Sequence, residues 1–527
     1  VRPNLVTLGL DPDKPWPWNV TTRAGRDPMT GQSRTKLIAG DPLRGVLVFW
    51  DRSGRLPPRP GGYWGQPTYQ VKDPFGATVP LVRHDPGNMS RDTAEYDATH
   101  HGEVRLPAGL APGEYELLAG PVTYTFTVVA PPARRGFSPV WPTTTLADVQ
   151  TLLDNGYDLD LAGGVYEWVR SVYGPDEFPL RLPPGTTVRG PGAVIRCRPD
   201  TAPDPGDEWV WSAFVANEWC VLDGLTFQML PGMRVVQANV GGSNLTLTGC
   251  HLNPAALNEP GPGLMVQDCE VSGVGAGLWT VSGGLFRRIY AHRNAQSHVL
   301  SVWAADGTLA VIDVRFDWTD RGFVAQPNWG DVRANLFLGE WCSNICWAEN
   351  GSECFLAEVS SAWGFHDNLI LHYRYEGGAG GAAAVQWDDK ARNNYVRDVK
   401  AYGGTGFMLT GSGVVKNVFE DIELRGGYIL LGPGGGNQFT NCAFVLDHGS
   451  GHGAQGMDPA WYNDWTQAVR WYDQVGPQNT FRRCVFELGP RFVPVMDVAL
   501  VQLTDCWWNG TPYPGEAAAP VENAEPV

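Results

Sequence analysis

"QNTFRRCVFEL" occupies residues 478–488, and its pattern returns elsewhere in the chain. "NQFTNCAFVL" (437–446), "LVQLTDCWW" (500–508), "SNLTLTGCHL" (243–252) and "LMVQDCEV" (264–271) share a polar stub, a small or apolar residue, one free position and another apolar residue. Aligned on the first inward residue, the positions are Leu225, Cys250, Cys269, Ile289, Val314, Leu336, Leu369, Val399, Ile422, Cys442, Cys484 and Cys506. Most successive spacings fall between 19 and 25 residues, with longer excursions of 33, 30 and 42. Repeats of this length mark solenoids or propellers.

The content of each repeat chooses between them. "GFMLTGSGVVKNVFEDIELRGG" (406–427) and "YILLGPGGGNQFTNCAFVLDHG" (428–449) hold two or three short period-2 runs split by Gly, Asn or Asp. Such a repeat has no room for a four-strand blade, and it lacks a Leu-rich horseshoe signature and helical periodicity. Short strands joined by bends predict a right-handed parallel β-helix whose turns stack at ~4.8 Å. The recurring position then points inward, where Cys is a compact apolar filler. Cys250/Cys269 and Cys484/Cys506 are expected to stack as thiols.

"TLADVQTLLDNGYDLDL" (145–161) places Thr145 and Asp148 at capping-box spacing, then apolar residues at helical intervals, then Gly156 as a stop. A short amphipathic helix there would plug the open end of the solenoid, and "LRLPPGTTVRGPGAVIRC" (180–197) would begin the strands. This stretch resembles the N-terminal cap and first turn of the pectate-lyase-like β-helix superfamily. The resemblance is architectural and spans roughly residues 140–510. It implies a sugar chain lying along a groove over one parallel sheet.

Residues 1–138 read differently. "GVLVFWD" (45–51), "PTYQVKD" (67–73), "GEVRLPAG" (102–109), "GEYELLAG" (113–120) and "VTYTFTVVAPP" (122–132) alternate and are separated by turns, which suggests an N-terminal immunoglobulin-like β-sandwich. The expected division is therefore 1–138 for the tail and sandwich, 139–510 for the β-helix with its capping helix, and 511–527, rich in Pro, Ala and Glu, for a loose tail.

A net charge of −17 argues against nucleic acid as the main partner. No apolar run approaches the roughly 18 residues of a membrane span. The cysteine spacings Cys342, Cys346 and Cys354 do not match a zinc site, so neither metal nor cofactor is expected. The 22 Trp offer flat surfaces suited to sugar rings. The expected partner is a polysaccharide, in an extracellular or cell-surface setting, with self-association left open.

The two excursions 336–369 and 369–399 flank a sheet expected to align "VLSVWAA" (299–305), "FVAQPNW" (323–329), "CFLAEVS" (354–360), "AVQWDD" (384–389) and "GFMLTGS" (406–412). Alternation then turns Trp303, Glu358, Gln386 and Asp388 outward. Glu358 and Asp388 would lie ~4.8 Å apart as direct neighbours, or roughly 7–8 Å with a two-residue offset. Those distances bracket the two glycosidase separations. Outward carboxylates are more often merely solvated, but the flanking excursions and local Trp density favour this pair. Glu358, Asp388 and Asp389 are the catalytic candidates. Trp303, Asn328, Trp329, Glu349, His366, Gln386, Lys390 and Arg392 are the substrate-binding candidates. Asp388–Asp389 and "GHG" (451–453) are similar to two polygalacturonase motifs, but no Asn-Thr-Asp or Arg-Ile-Lys element accompanies them. The reading is a glycoside hydrolase, with a non-catalytic surface, adhesin or filament protein as the alternative. A polysaccharide lyase also stays open, and a phage tailspike ranks lowest for want of a coiled-coil trimerisation segment.

Overall fold

The computed structural model describes residues 132–170, 180–199, 212–229, 245–253, 264–273, 283–292, 298–306, 309–317, 330–333, 335–339, 363–377, 390–402, 411–425, 428–446, 478–488 and 501–512, with shorter segments between and before them. The chain divides into two compact units. One is Val1–Tyr290 with Ala304–Asp313 and Ala334–Leu336; the other is Ala291–Trp303 with Val314–Arg333 and Phe337–Val527.

The first unit opens with two sheets. Trp16–Trp18, Val46–Trp50 and His101–Arg105 form an antiparallel three-stranded sheet. Thr22–Arg26, Ser33–Ile38, Tyr69–Lys72, Thr78–Val79, Gly113–Ala119 and Val122–Val129 form the second. Parallel coiling begins earlier than the expected start near residue 180. Phe137–Val140 pairs in parallel with Asp158–Leu161, and Gly164–Arg170 pairs with Ala193–Pro199.

Between these strands lies helix α1, Leu146–Asp154. Thr145 caps it, accepting from the Asp148 N–H while its hydroxyl donates to the Asp148 carboxylate at 2.6 Å. Gly156, at φ 86°, ends it. The Gly156 N–H bonds Leu153 O and the Tyr157 N–H bonds Leu152 O, the two bonds of a Schellman motif. Val149 and Leu153 are buried. Gln150 clamps both backbone groups of Arg181, which fixes the helix against Leu180–Leu182.

From there each turn follows one plan. In the first unit Leu222, Leu247, Val266 and Phe286 succeed one another in register. A corner residue in the left-handed region follows each of these strands: Gly224, Gly249, Asp268 and Arg288, with Asp313 at the next. The second unit repeats the device at Gly339, His372, Asp398, Asp421, Asn441, Arg483 and Asp505. Gly, Asn and Asp tolerate this conformation best, which explains the polar stub in the sequence repeat. The residue after the corner turns inward, so Cys250, Cys269, Cys442, Cys484 and Cys506 are buried at 3% exposure or less.

Two of the aligned positions are corrected. Leu336 and Leu369 precede the corners at Gly339 and His372 instead of following them. Leu369 pairs with Tyr395, and it is Tyr373 that pairs with Val399. Both are buried, but so are the residues beside them, Phe337, Leu338, Ile370 and Leu371. Strands buried on both faces read as continuous apolar runs and carry no parity.

The second unit is tied by two ladders. Asn368, Asn394, Asn417, Asn437 and Asn479 stand on successive turns, each almost fully buried. Each amide Nδ2 donates to the Oδ1 of the next at 2.9–3.0 Å, from Asn368 through to Asn479. The same Oδ1 also accepts the backbone N–H of the preceding Asn. Inside, Phe419, Phe439 and Phe481 stack nearly parallel at 4.7 and 4.6 Å.

Among the described residues Cys197, Cys220, Cys250, Cys269, Cys442, Cys484 and Cys506 are free thiols. The Cys250 thiol and burial push Cys269 up, and burial with the Cys442 thiol pushes Cys484 up. Without thiolate character they are poor nucleophiles. A thiol reagent should leave these seven unreacted in the native chain and titrate all of them after denaturation without reductant. Reaction of Cys484 under native conditions would contradict the ladder.

Candidate functional site

The second unit contains the sheet expected to carry the site. Val302 pairs with Ala325, Ala325 with Ala357, Ala357 with Trp387 and Trp387 with Leu409. Val302, Ala325, Trp387 and Leu409 are buried, so this column faces the core. The candidate Glu358 follows Ala357 in the chain, Asp388 follows Trp387 and Trp303 follows Val302. Trp303 is half-buried. Glu358, Asp388, Asp389, Asn328, Trp329 and Glu349 lie outside the described residues, as does the side chain of Gln386.

His366, Lys390 and Arg392 are described, and a short fourth side of the coil brings them together. Val332–Arg333, Phe365–His366 and Ala391–Arg392 pair in parallel, with Arg333, His366 and Arg392 as successive rungs. Val332, Phe365 and Ala391 are fully buried, so the alternate residues turn away from the core. Arg392 is exposed, while Arg333 and Lys390 are half-buried.

His366 is nevertheless buried, at 2% exposure. Its Nδ1 lies 2.7 Å from Asp367 Oδ2 and its Nε2 lies 3.5 Å from Asp331 Oδ2. Asp331 Oδ1 accepts the Gly364 N–H at 2.8 Å. Burial alone would lower the His366 pKa, but the flanking Asp331 and Asp367 carboxylates outweigh it and raise it. Burial would likewise raise Asp331, but His366, the Gly364 N–H and Arg333 bring it below the usual carboxylate range. The His366 ring lies between two carboxylates, which favour its charged form. Gly364 permits it: a Cβ there would lie 2.9 Å from Lys390 O and 3.4 Å from the His366 ring.

Asp331 was absent from the candidates drawn from the sequence. Its signal is the recurrence of "DVRAN" (331–335), "GFHDN" (364–368) and "KARNN" (390–394), an apolar residue, a basic one and an Asn two places on. His372 joins a different group, on the corner column. Its Nδ1 lies 2.5 Å from Asp398 Oδ2, which Arg374 also contacts at 3.1 Å. Burial would raise the Asp398 pKa, but His372 and Arg374 drive it far below the ordinary value. This ion pair staples one turn to the next.

The pH dependence of the Asp331–His366–Asp367 group has a definite sign. A histidine whose folded pKa is raised adds stability below its unfolded value, ~6.5, and loses it as pH rises through the folded pKa. Asp331 acts oppositely, adding stability above ~3.9 and losing it as pH falls through its depressed folded pKa. The unfolding midpoint should therefore drop from pH 6 to pH 9, and His366→Gln should flatten that limb. An unchanged alkaline limb in His366→Gln would show that another group sets it.

Among the described residues no group of three or more His, Cys, Asp or Glu is arranged to hold a metal ion. No helix there is long and apolar enough to cross a membrane.

No family model matches the chain, and no curated protein matches it. Solved structures that it is similar to include a mutant tailspike protein of E. coli bacteriophage HK620 (11% identity, 73% of this chain and 76% of that one, TM-score 0.40). Another is the Dettilon tailspike protein (10% identity, 70% and 68%, TM-score 0.35). A third is the catalytic domain of a GH87 alpha-1,3-glucanase in complex with nigerose (11% identity, 83% and 86%, TM-score 0.31). No residue role is carried over from them.

Proposed function

We propose that this chain acts on a polysaccharide as a glycoside hydrolase, with Glu358 and Asp388 as its two carboxyl groups. The observation that carries this reading is the register of Ala357 with Trp387, the residues immediately before them. If the strands continue one residue further, the two carboxyl groups stand on adjacent turns, ~4.8 Å apart. That is close to the roughly 5–5.5 Å of retaining glycosidases. One group would protonate the leaving oxygen and then activate water, while the other would attack the anomeric carbon and form a glycosyl-enzyme. Asp389 is a neighbouring auxiliary. Trp303, which follows the same column, and Trp329 would supply stacking surfaces for sugar rings. Such an enzyme would work outside the cell or at its surface.

The test is a polysaccharide panel read for new reducing ends and for unsaturated products. New reducing ends without unsaturation, and an unchanged anomeric configuration in the first product, are the expected result. Unsaturated products would mean a lyase. No cleavage of any polymer would leave the non-catalytic alternative.

A further inference from the structure

We propose that the N-terminal β-sheets, residues 1–131, fold back along the coil and close the outer face of one of its sheets. This contact does not depend on the hydrolase reading. In the strands Thr246–Thr248, Leu264–Gln267, Gly284–Arg287 and Leu309–Ile312, one column of the register runs Thr246, Met265, Leu285 and Ala310. One turn earlier Leu222 is buried between half-buried Val221 and Asp223, which fixes the parity of the sheet. Val221 pairs with Thr246, so the column from Thr246 to Ala310 points outward, away from the core. Yet all four of its residues are 0% exposed. Arg287 and Ile312, on the second outward column, are 0% and 1% exposed. A cover therefore begins beyond Val221–Asp223 and extends about 14 Å along the coil axis, from the first of these strands to the last.

The path of residues 132–136 identifies the cover. The Arg135 N–H donates to Gly156 O, and Gly136 O accepts the Asp158 N–H, which holds this segment on the first turn. Arg134 reaches Asp158 Oδ1 at 3.1 Å, and the same oxygen accepts the Thr187 N–H from the second turn. Pro132 lies on that second turn: a Cβ at Gly185 would come within 2.9 Å of its ring. From Gly136 back to Pro132 the chain thus advances one turn along the coil. It does so on the sheet that continues through Thr187–Arg189 and Val221–Asp223 to the covered strands. The sheets that precede Pro132 belong to the same compact unit as the covered face. Of the coil beyond Tyr290, that unit takes in Ala304–Asp313 and Ala334–Leu336, and the first of these holds the last covered strand. An outer face of Met265, Leu285 and Ile312 suits the apolar side of another sheet. With the N-terminal sheets in place, a polymer cannot lie over it.

A photoreactive benzophenone side chain placed at Leu285 or Ile312 of the full chain tests the proposal, with the exposed Gln228 as the control position. Irradiation and peptide mapping should join the first two positions to residues 1–131 and leave the control unjoined. Adducts on coil segments such as 171–179 or 254–263, or the control's pattern at all three positions, would overturn it. A second measurement needs no bulky probe. Leu285→Arg sets a charge into the interface and should release the N-terminal sheets. Peroxide should then oxidise Met265 at least about tenfold faster than in the wild type, while Cys250 and Cys269 stay unreactive to a thiol reagent. Opening of Met265 and Cys269 together would mean that the face is part of the coil's own core. Rapid oxidation of Met265 in the wild type would mean that nothing covers it. Either result sinks the proposal.

Discussion

Glu358→Gln and Asp388→Asn should each lower hydrolysis of the correct polymer by roughly 10²–10⁴-fold, the usual worth of a positioned acid, base or nucleophile. Each substitution keeps the side chain's size and removes its titrating group, so the unfolding transition should stay in place. The two variants should differ in kind. The acid/base variant loses least on substrates with a good leaving group, because departure then needs little protonation. The nucleophile variant loses equally on all of them. In the wild type the two roles need different protonation states at one pH, so kcat/KM should follow a bell-shaped profile, and each variant should remove one limb. Full activity in both variants would eliminate the pair.

Asn417→Ala should destabilise the chain by roughly 3–5 kcal/mol, from the 1–3 kcal/mol cost of each buried polar group left unsatisfied. The Asn417 side chain accepts from the Asn394 backbone N–H at 2.9 Å and from Asn394 Nδ2 at 3.0 Å. It donates to Ala391 O and to Asn437 Oδ1, both at 2.9 Å. All of this is shielded from solvent, so water cannot replace the lost partners. Asn417→Asp keeps the shape but loses both donated bonds, sets a carboxylate oxygen against Ala391 O and Asn437 Oδ1, and buries a charge, so it should be worse. Asn441→Gly is the control. Asn441 is exposed, its bond to Asp421 is long at 3.3 Å, and Gly accepts its left-handed backbone. That change should stay within about 0.5 kcal/mol. Denaturant unfolding of the three variants reads the difference, and an Asn417→Ala midpoint equal to that of the control would mean the ladder adds nothing.

The coil was legible where a chemical constraint recurs once per turn. At Gly249, Asp268, Asn441 and Asp505 the left-handed corner demands Gly, Asn or Asp, and the next position demands a compact apolar residue, so the pair stands out in sequence. The register slipped at Leu336 and Leu369 because those strands are buried on both faces, and a run such as "LFL" or "LIL" marks neither side. The Asn ladder was present in plain view, in "NQFTNC" and "QNTFRRC", but a polar residue before a strand is usually a solvated turn. Its burial depends on the neighbouring turn. Asp331 was missed for a similar reason: its partner His366 lies 35 positions further along the chain, and only the coil joins them. The catalytic candidates came from outward parity, the flanking excursions and the local Trp density, and the Ala357–Trp387 register was not legible in any of these.

The rungs that hold the second unit in register are also nearly interchangeable. Asn417, Asn437 and Asn479 offer the same donors and acceptors, and Phe419, Phe439 and Phe481 the same flat ring. A growing end can therefore accept the wrong turn, skipping one and leaving it looped out, while satisfying the same hydrogen bonds and the same stack. Local chemistry does not detect that error; the unequal spacings between rungs, 26, 23, 20 and 42 residues, do. Refolding from denaturant should accordingly pass through long-lived, aggregation-prone species with looped-out turns, as expected for a large chain built on parallel pairing. The irregular segments, which look like interruptions of the repeat, are what give each turn its address.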